Sequence, residues 1–195
     1  YDHEDFIGFK SIDTNKFIIG HYGIMNHLRN PANFWNALND LCEENLEFNE
    51  KLEIRLSGNI DSNIINEINS YSNLSSKLVL LGYISHKEVL EEYSKTNILL
   101  LLLFNSKSGQ GNYPGKIFEY FAAKKTIIAF GPEKSDVKKL LENGYGLFHN
   151  YNDECKKIKE NILAVFKNEN NTNLVEEGEY SRKNLTKKLV NLLEK

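Results

Sequence analysis

Six short apolar runs, separated by segments of helical periodicity, restrict this 195-residue chain to very few architectures. The runs are residues 17–19, 52–56, 78–81, 98–104, 126–130 and 146–149. Most are apolar at consecutive positions rather than at every second one. That is how strands covered on both faces look, and such covering is the habit of parallel sheets. Between the first two runs, Asn30 reads as a helix cap and Pro31 as a first-turn proline. Phe34, Ala37, Leu38, Leu41 and Cys42 then recur at helical spacing, marking a buried face. Ser85 and Glu88 form a capping box, with Ile84 and Val89 as the apolar staple around it. Helices are also predicted over 61–70, 116–123, 135–143 and 153–166. An unbroken βα alternation gives an α/β fold: a doubly wound, parallel six-stranded sheet, Rossmann-like, with helices on both faces.

Composition removes several classes of function. Lys plus Arg number 24 against 27 Asp plus Glu, a net charge of 24 − 27 = −3, and 41% of residues are hydrophobic. A chain of this size and polarity can build a full core without staples. It has no strongly basic balance, so nucleic acid is not an expected partner. Cys42 and Cys155 lie far apart with no metal-ligand spacing, so neither a disulfide framework nor a metal site is expected. The longest apolar run, 98–104, has seven residues, whereas a membrane-spanning helix needs about 20. With no signal peptide at its start, the chain reads as cytoplasmic, and the sequons at Asn73, Asn170 and Asn184 read as chance matches. It opens at Tyr1 and its sole methionine is Met25, which points to a processed protein or a piece of a longer one. Residues 1–15 lack periodicity and read as a lead-in or interdomain segment. Residues 16–167 form the Rossmann-like domain, and 168–195 hold an Asn-rich linker (168–173) and a last helix with Leu185, Leu189, Leu192 and Leu193 on one stripe.

In an open α/β sheet, ligands bind beyond the carboxyl ends of the strands. The loops to inspect are therefore 20–30, 57–61, 82–85, 105–115 and 131–135. The richest is S-G-Q-G-N-Y-P-G-K-I-F-E-Y-F-A-A, where glycines and Pro114 lead straight into a helix whose free N–H groups and positive end suit an anion. It is not a Walker A loop, because Gln110 stands where glycine is needed and Ile117 follows Lys116. It is not G-x-G-x-x-G either, because Pro114 occupies the third position. Lys116 in the first turn opposes the helix dipole, a penalty that a bound anion would remove. Glu119 is a carboxylate in an otherwise apolar stretch, costly unless something pairs with it; ligand hydroxyls would do so. His21, His27, His86 and His149 read as surface or capping residues, with His27 the best placed for chemistry. No Ser-His-Asp set is readable.

The succession H-Y-G-I-M-N-H-L-R-N-P, L-S-G-N, L-L-G-Y-I-S-H-K-E-V, Y-P-G-K-I-F-E-Y-F-A-A-K-K-T-I-I-A-F-G-P and G-Y-G-L-F resembles, in that order and over residues 1 to 195, the C-terminal domain of GT-B glycosyltransferases. The likeness is to the retaining "glycosyl transferases group 1", family-4-like lineage. It implies a domain that binds a nucleotide diphosphate sugar, UDP- or GDP-linked, without a cofactor. The acceptor, a sugar or lipid-linked molecule, would sit on an N-terminal domain absent from this chain. Sugar transfer to an acceptor hydroxyl in surface polysaccharide or glycoconjugate synthesis follows by the same resemblance, with peripheral membrane association of the full-length protein possible and the isolated chain inactive. Glu119 resembles the second glutamate of the family's E-x7-E motif, which holds ribose hydroxyls. The first falls on Gly111, so backbone amides of the Gly109 to Gly115 loop would stand in for it. Of the family's two cations on the diphosphate, one place holds Ile24 and the other Arg29, after the glycine Gly23. Gly23, Arg29, Gly111, Tyr113, Gly115 and Lys116 are thus the diphosphate candidates, and Glu119, Tyr83 and Ile84 the ribose and base candidates. The catalytic residues are not identified. Two alternatives stay open: a nucleotide-sugar epimerase of GT-B architecture, and a flavodoxin-like module without enzymatic activity.

Overall fold

The computed structural model describes residues 1–169 and 178–194. The chain runs β1 (Phe17–Tyr22), α1 (Ala32–Glu44), α2 (Leu46–Lys51), β2 (Leu52–Ser57), α3 (Ser62–Ser70), β3 (Leu78–Gly82) and α4 (His86–Lys95), then β4 (Ile98–Leu102), α5 (Lys116–Ala123), β5 (Thr126–Gly131), α6 (Asp136–Leu141), β6 (Leu147–Asn150), α7 (Cys155–Phe166) and α8 (Arg182–Leu193). The strands form one sheet in the order β3-β2-β1-β4-β5-β6, with every pairing parallel.

The consecutive apolar residues of β4 are explained by two cores. Ile98, Leu100 and Leu102 enter the layer under α1, α3 and α7, while Leu99, Leu101 and Leu103 enter the layer under α4, α5 and α6. β5 divides likewise, Ile128 and Phe130 on one side and Ile127 and Ala129 on the other. Strands far from the centre depart from this rule. In β2, Leu52, Ile54 and Leu56 are buried, but the other face carries Arg55, which donates from Nε to Glu53 (2.6 Å) and from Nη1 to Glu92 of α4 (2.6 Å). β3 is an edge strand, with Leu80 49% exposed.

Several local expectations are refined. The capping box forms as read: the Ser85 hydroxyl accepts from the Glu88 amide, and the Glu88 carboxylate accepts from the Ser85 amide. At α1, however, Pro31 is the cap and the helix begins at Ala32. The Asn30 side chain is spent elsewhere, accepting from Trp35 Nε1 (2.8 Å) and donating to Glu67 (2.6 Å). Helix α2 was not expected: Asn45 ends one helix and caps the next through Phe48 N, and with Phe48 its only buried residue the segment is too short to show a period. The lead-in segment, though aperiodic, is anchored by Phe6 and Phe9 against the second core. Amide nitrogens of the sequon residues Asn73 and Asn184 donate to Glu43 and the Gly178 carbonyl. Asn170 and most of the 168–173 linker lie outside the described residues. The leucine stripe of α8 does form, but Leu185, Leu189, Leu192 and Leu193 are all exposed.

Candidate functional site

The strand order reverses between β1 and β4, and in open α/β sheets the crevice at such a switch point is where ligands bind. The loops leaving these two strands meet there. Beyond β1, Gly23 N donates to Ser57 O (2.7 Å) and Met25 N to Asn59 O (3.0 Å), with Met25 fully buried. A single helical turn, His27–Arg29, follows, and its Leu28 carbonyl accepts from Asn105 N (2.7 Å) of the loop after β4. That loop folds back so tightly at Gly109 that a side chain there would strike the Phe104 carbonyl oxygen. It is also held by α6: Asp136 N donates to Gln110 O (2.8 Å), and the Tyr113 hydroxyl donates to Asp136 O (3.1 Å). It then feeds α5, whose cap Gly115 makes no side-chain capping bond.

Two cations converge in this crevice. Lys116, from the first turn of α5, reaches back across the switch point and donates to the Tyr22 carbonyl. Its Nζ occupies the space that a Cβ at Gly23 would take, so a side chain there would push the ammonium away from the Tyr22 carbonyl. Arg29 lies over the Phe104 ring (4.0 Å to the centroid) and donates from Nη1 to Ile24 O (3.2 Å), while its Nε is buried without a partner among the described residues. Burial, reinforced by Arg29, lowers the Lys116 ammonium from 10.5 to about 8, although Glu119 pulls the other way. Beneath them His21 is 4% exposed, its Nδ1 3.0 Å from Leu100 O and its Nε2 3.4 Å from Ile24 O. Burial, then the Lys116 charge, depress it to about 4. The imidazole is therefore neutral at physiological pH, with a backbone carbonyl beside each ring nitrogen. The crevice so assembled holds two partly desolvated cations whose acceptors on the protein are backbone carbonyls, which an anion can replace.

Glu119 follows one turn into α5, and its Oε2 accepts from the Tyr93 hydroxyl (3.0 Å) of α4. Tyr83 and Ile84 follow β3: Tyr83 is 94% exposed, whereas Ile84 packs with Val89 against the second core. Gly111 and Gly115 are uncrowded: a Cβ added at either would meet nothing within 4 Å. The structure thus brings Gly23, Arg29, Lys116 and Glu119 to one crevice. The histidine reading needs correction: His21, not the exposed His27, sits beside the cations, and His149 is fully buried, bonded through Nδ1 to Asp153 (3.0 Å). His86 is exposed, as read. Sequence reasoning also missed Tyr93, which no local motif distinguishes from a core aromatic. A separate cleft of about 540 Å³, lined by Asp13, Lys16, Asn97 and Thr126, opens at the amino ends of the strands, the opposite end from these loops. Among the described residues no group of His, Cys, Asp and Glu is arranged to hold a metal ion, and no helix is long and apolar enough to cross a membrane.

No family model matches the chain, and no curated protein matches it in sequence. Solved structures do match. The C-terminal domain of a glycosyl transferase group 1 family protein, LpcC, from Francisella tularensis superposes with a TM-score of 0.64 at 12% identity, over 97% of this chain and 98% of that one. The chain has the fold of a GT-B C-terminal domain. Anabaena HepE in complex with UDP matches with a TM-score of 0.72 at 10% identity, over 100% of this chain and 55% of that one. Sucrose-phosphate synthase from Thermosynechococcus elongatus gives 0.71 at 13% identity, over 100% and 50%. The chain spans about half the length of the latter two proteins.

Proposed function

We propose that this chain is the donor-binding domain of a glycosyltransferase, holding a nucleotide diphosphate sugar, UDP- or GDP-linked, while an N-terminal domain of the full-length protein holds the acceptor. The observation that carries the reading is the pairing of Arg29 and Lys116 at the switch point. Two cations are held within a partly buried crevice, one with an Nε that has no partner among the described residues and the other with its charged form disfavoured by burial. A diphosphate relieves both costs. Lys116 leaves the Tyr22 carbonyl for a phosphate oxygen, Arg29 supplies its fork to another, and the Gly111 to Gly115 loop that leads into α5, with Tyr113, closes around the anion. Glu119 accepts the ribose hydroxyls, and the base lies against Tyr83 and the backbone of Ile84. HepE, which shares the fold, has been solved with UDP and with UDP-glucose, which supports a donor of this class. Transfer to an acceptor hydroxyl, in the synthesis of a surface polysaccharide or glycoconjugate, is the corresponding activity of the full-length protein.

The test is a thermal-shift and calorimetric panel of UDP, GDP, ADP, their sugars and the bare nucleosides, on the parent and on Arg29→Ala. A specific nucleoside diphosphate should raise the melting temperature by mass action. Arg29→Ala should weaken the diphosphate by about tenfold or more, one charge-assisted bond, and leave the nucleoside unchanged. No response to any nucleotide, or equal losses for diphosphate and nucleoside, would overturn the reading.

A further inference from the structure

We infer that Tyr93 is a positioning residue for the nucleotide, acting through Glu119; the inference rests on the reading of Glu119 as the acceptor of the ribose hydroxyls. Glu119 is a flexible side chain at the rim of the crevice, and a carboxylate that must meet two hydroxyls at once is useful only if its orientation is fixed. Tyr93 fixes it. The Tyr93 side chain comes from α4, is fully buried, and reaches the crevice only through its hydroxyl, which donates to Glu119 Oε2 (3.0 Å). Its ring is clamped edge-to-face between Tyr22 (5.3 Å between centroids) and Tyr120 (5.2 Å). Tyr22 is itself held, its hydroxyl 2.7 Å from Thr96 Oγ1, which donates in turn to Glu92 O (2.8 Å). Room for the Tyr22 ring comes from Gly20, where an added Cβ would lie 2.5 Å from it. A rigid aromatic stack rooted in β1 and α4 therefore ends in one hydroxyl, and that hydroxyl holds one carboxylate oxygen.

Oε1 of Glu119 accepts no bond from a described residue, so the side chain presents a held oxygen and an open one. Losing the Tyr93 hydroxyl would free the carboxylate to rotate and leave every other ligand contact in place. A residue needed only for packing would behave differently, because Phe keeps the ring and the edge-to-face contacts.

The experiment is calorimetry on the parent and on Tyr93→Phe, each with UDP and with 2′,3′-dideoxyuridine diphosphate. The parent should prefer UDP, and in Tyr93→Phe that preference should fall by about three- to tenfold, the equivalent of one hydrogen bond, while affinity for the dideoxy compound stays the same. An undiminished preference in Tyr93→Phe, or equal weakening of both ligands, would overturn the positioning role while leaving the donor-site reading standing. A parent that binds both compounds equally would instead remove Glu119 from the ribose, and Tyr93 with it.

Discussion

Lys116 is the residue at which stability and binding pull hardest against each other, and Lys116→Met separates them. In the folded chain its ammonium is lowered from 10.5 to about 8, burial being the main cause. A base whose folded pKa is depressed gives the fold its full stability only above the unfolded value of 10.5. As pH falls from 10.5 towards 8 the unfolded chain takes the proton first, and below 8 that stability is gone. The ceiling on this cost, at about 1.36 kcal/mol per pH unit over 10.5 to 8, is about 3 kcal/mol at pH 7. Lys116 keeps partial contact with solvent, which reduces the figure to about 2 kcal/mol. Methionine keeps the unbranched stem and drops the charge, but forfeits the bond to the Tyr22 carbonyl, worth about 1 kcal/mol. The net expectation is a gain of about 1 kcal/mol at pH 7, roughly 2–4 °C in melting temperature for a domain of this size. UDP affinity should fall on the order of tenfold to a hundredfold, a charge-assisted phosphate contact being about 1.5–3 kcal/mol. Urea denaturation of both proteins from pH 7 to 10.5 supplies the decisive signature. The margin of Lys116→Met over the parent should shrink steadily across 8 to 10.5, because the parent alone regains stability there. A margin independent of pH, or a variant that binds UDP as well as the parent does, would refute this account of the crevice.

Three further outcomes are expected. His21, depressed from 6.5 to about 4, should make the parent lose stability as pH falls through that window; His21→Gln should flatten this acid limb by about 2 kcal/mol, read by urea melts at pH 4 to 7. Gly23→Ala would put a methyl group where Lys116 Nζ rests, so Nζ must leave the Tyr22 carbonyl; Lys116 makes that same move to reach the diphosphate, so calorimetry should show UDP affinity changed by less than about threefold, and a loss of tenfold or more confined to UDP would mean that Lys116 binds from its resting place. Tyr83→Ala truncates a residue that is 94% exposed, so stability should change by less than about 0.5 kcal/mol, while a lost stacking contact of about 1 kcal/mol should weaken UDP roughly fivefold; unchanged binding would take the base off Tyr83.

The sequence by itself determined whatever depends on near neighbours along the chain. The unbroken apolar run at 98–104 required covering on both faces, and residues 98 to 103 do alternate between two cores. Ser85 and Glu88 set the start of α4, and the helix read at 116–123 is α5 to the residue. Periodicity and caps act within a turn or two of helix, so they survive in any context the rest of the chain supplies. What the tertiary structure alone decided was depth and partnership. A histidine after Gly20 reads the same whether it is exposed or buried under two cations; only the meeting of the loops after β1 and β4 sinks His21 and lowers its pKa. The α8 period told of a leucine stripe but not that the described residues leave it exposed. Glu119 was legible as an acid that needed a partner, yet its partner stands 26 residues away on α4. Which side chain lies opposite another depends on how helices cross the sheet. That geometry is fixed by the packing of the whole chain and has no local sequence signal.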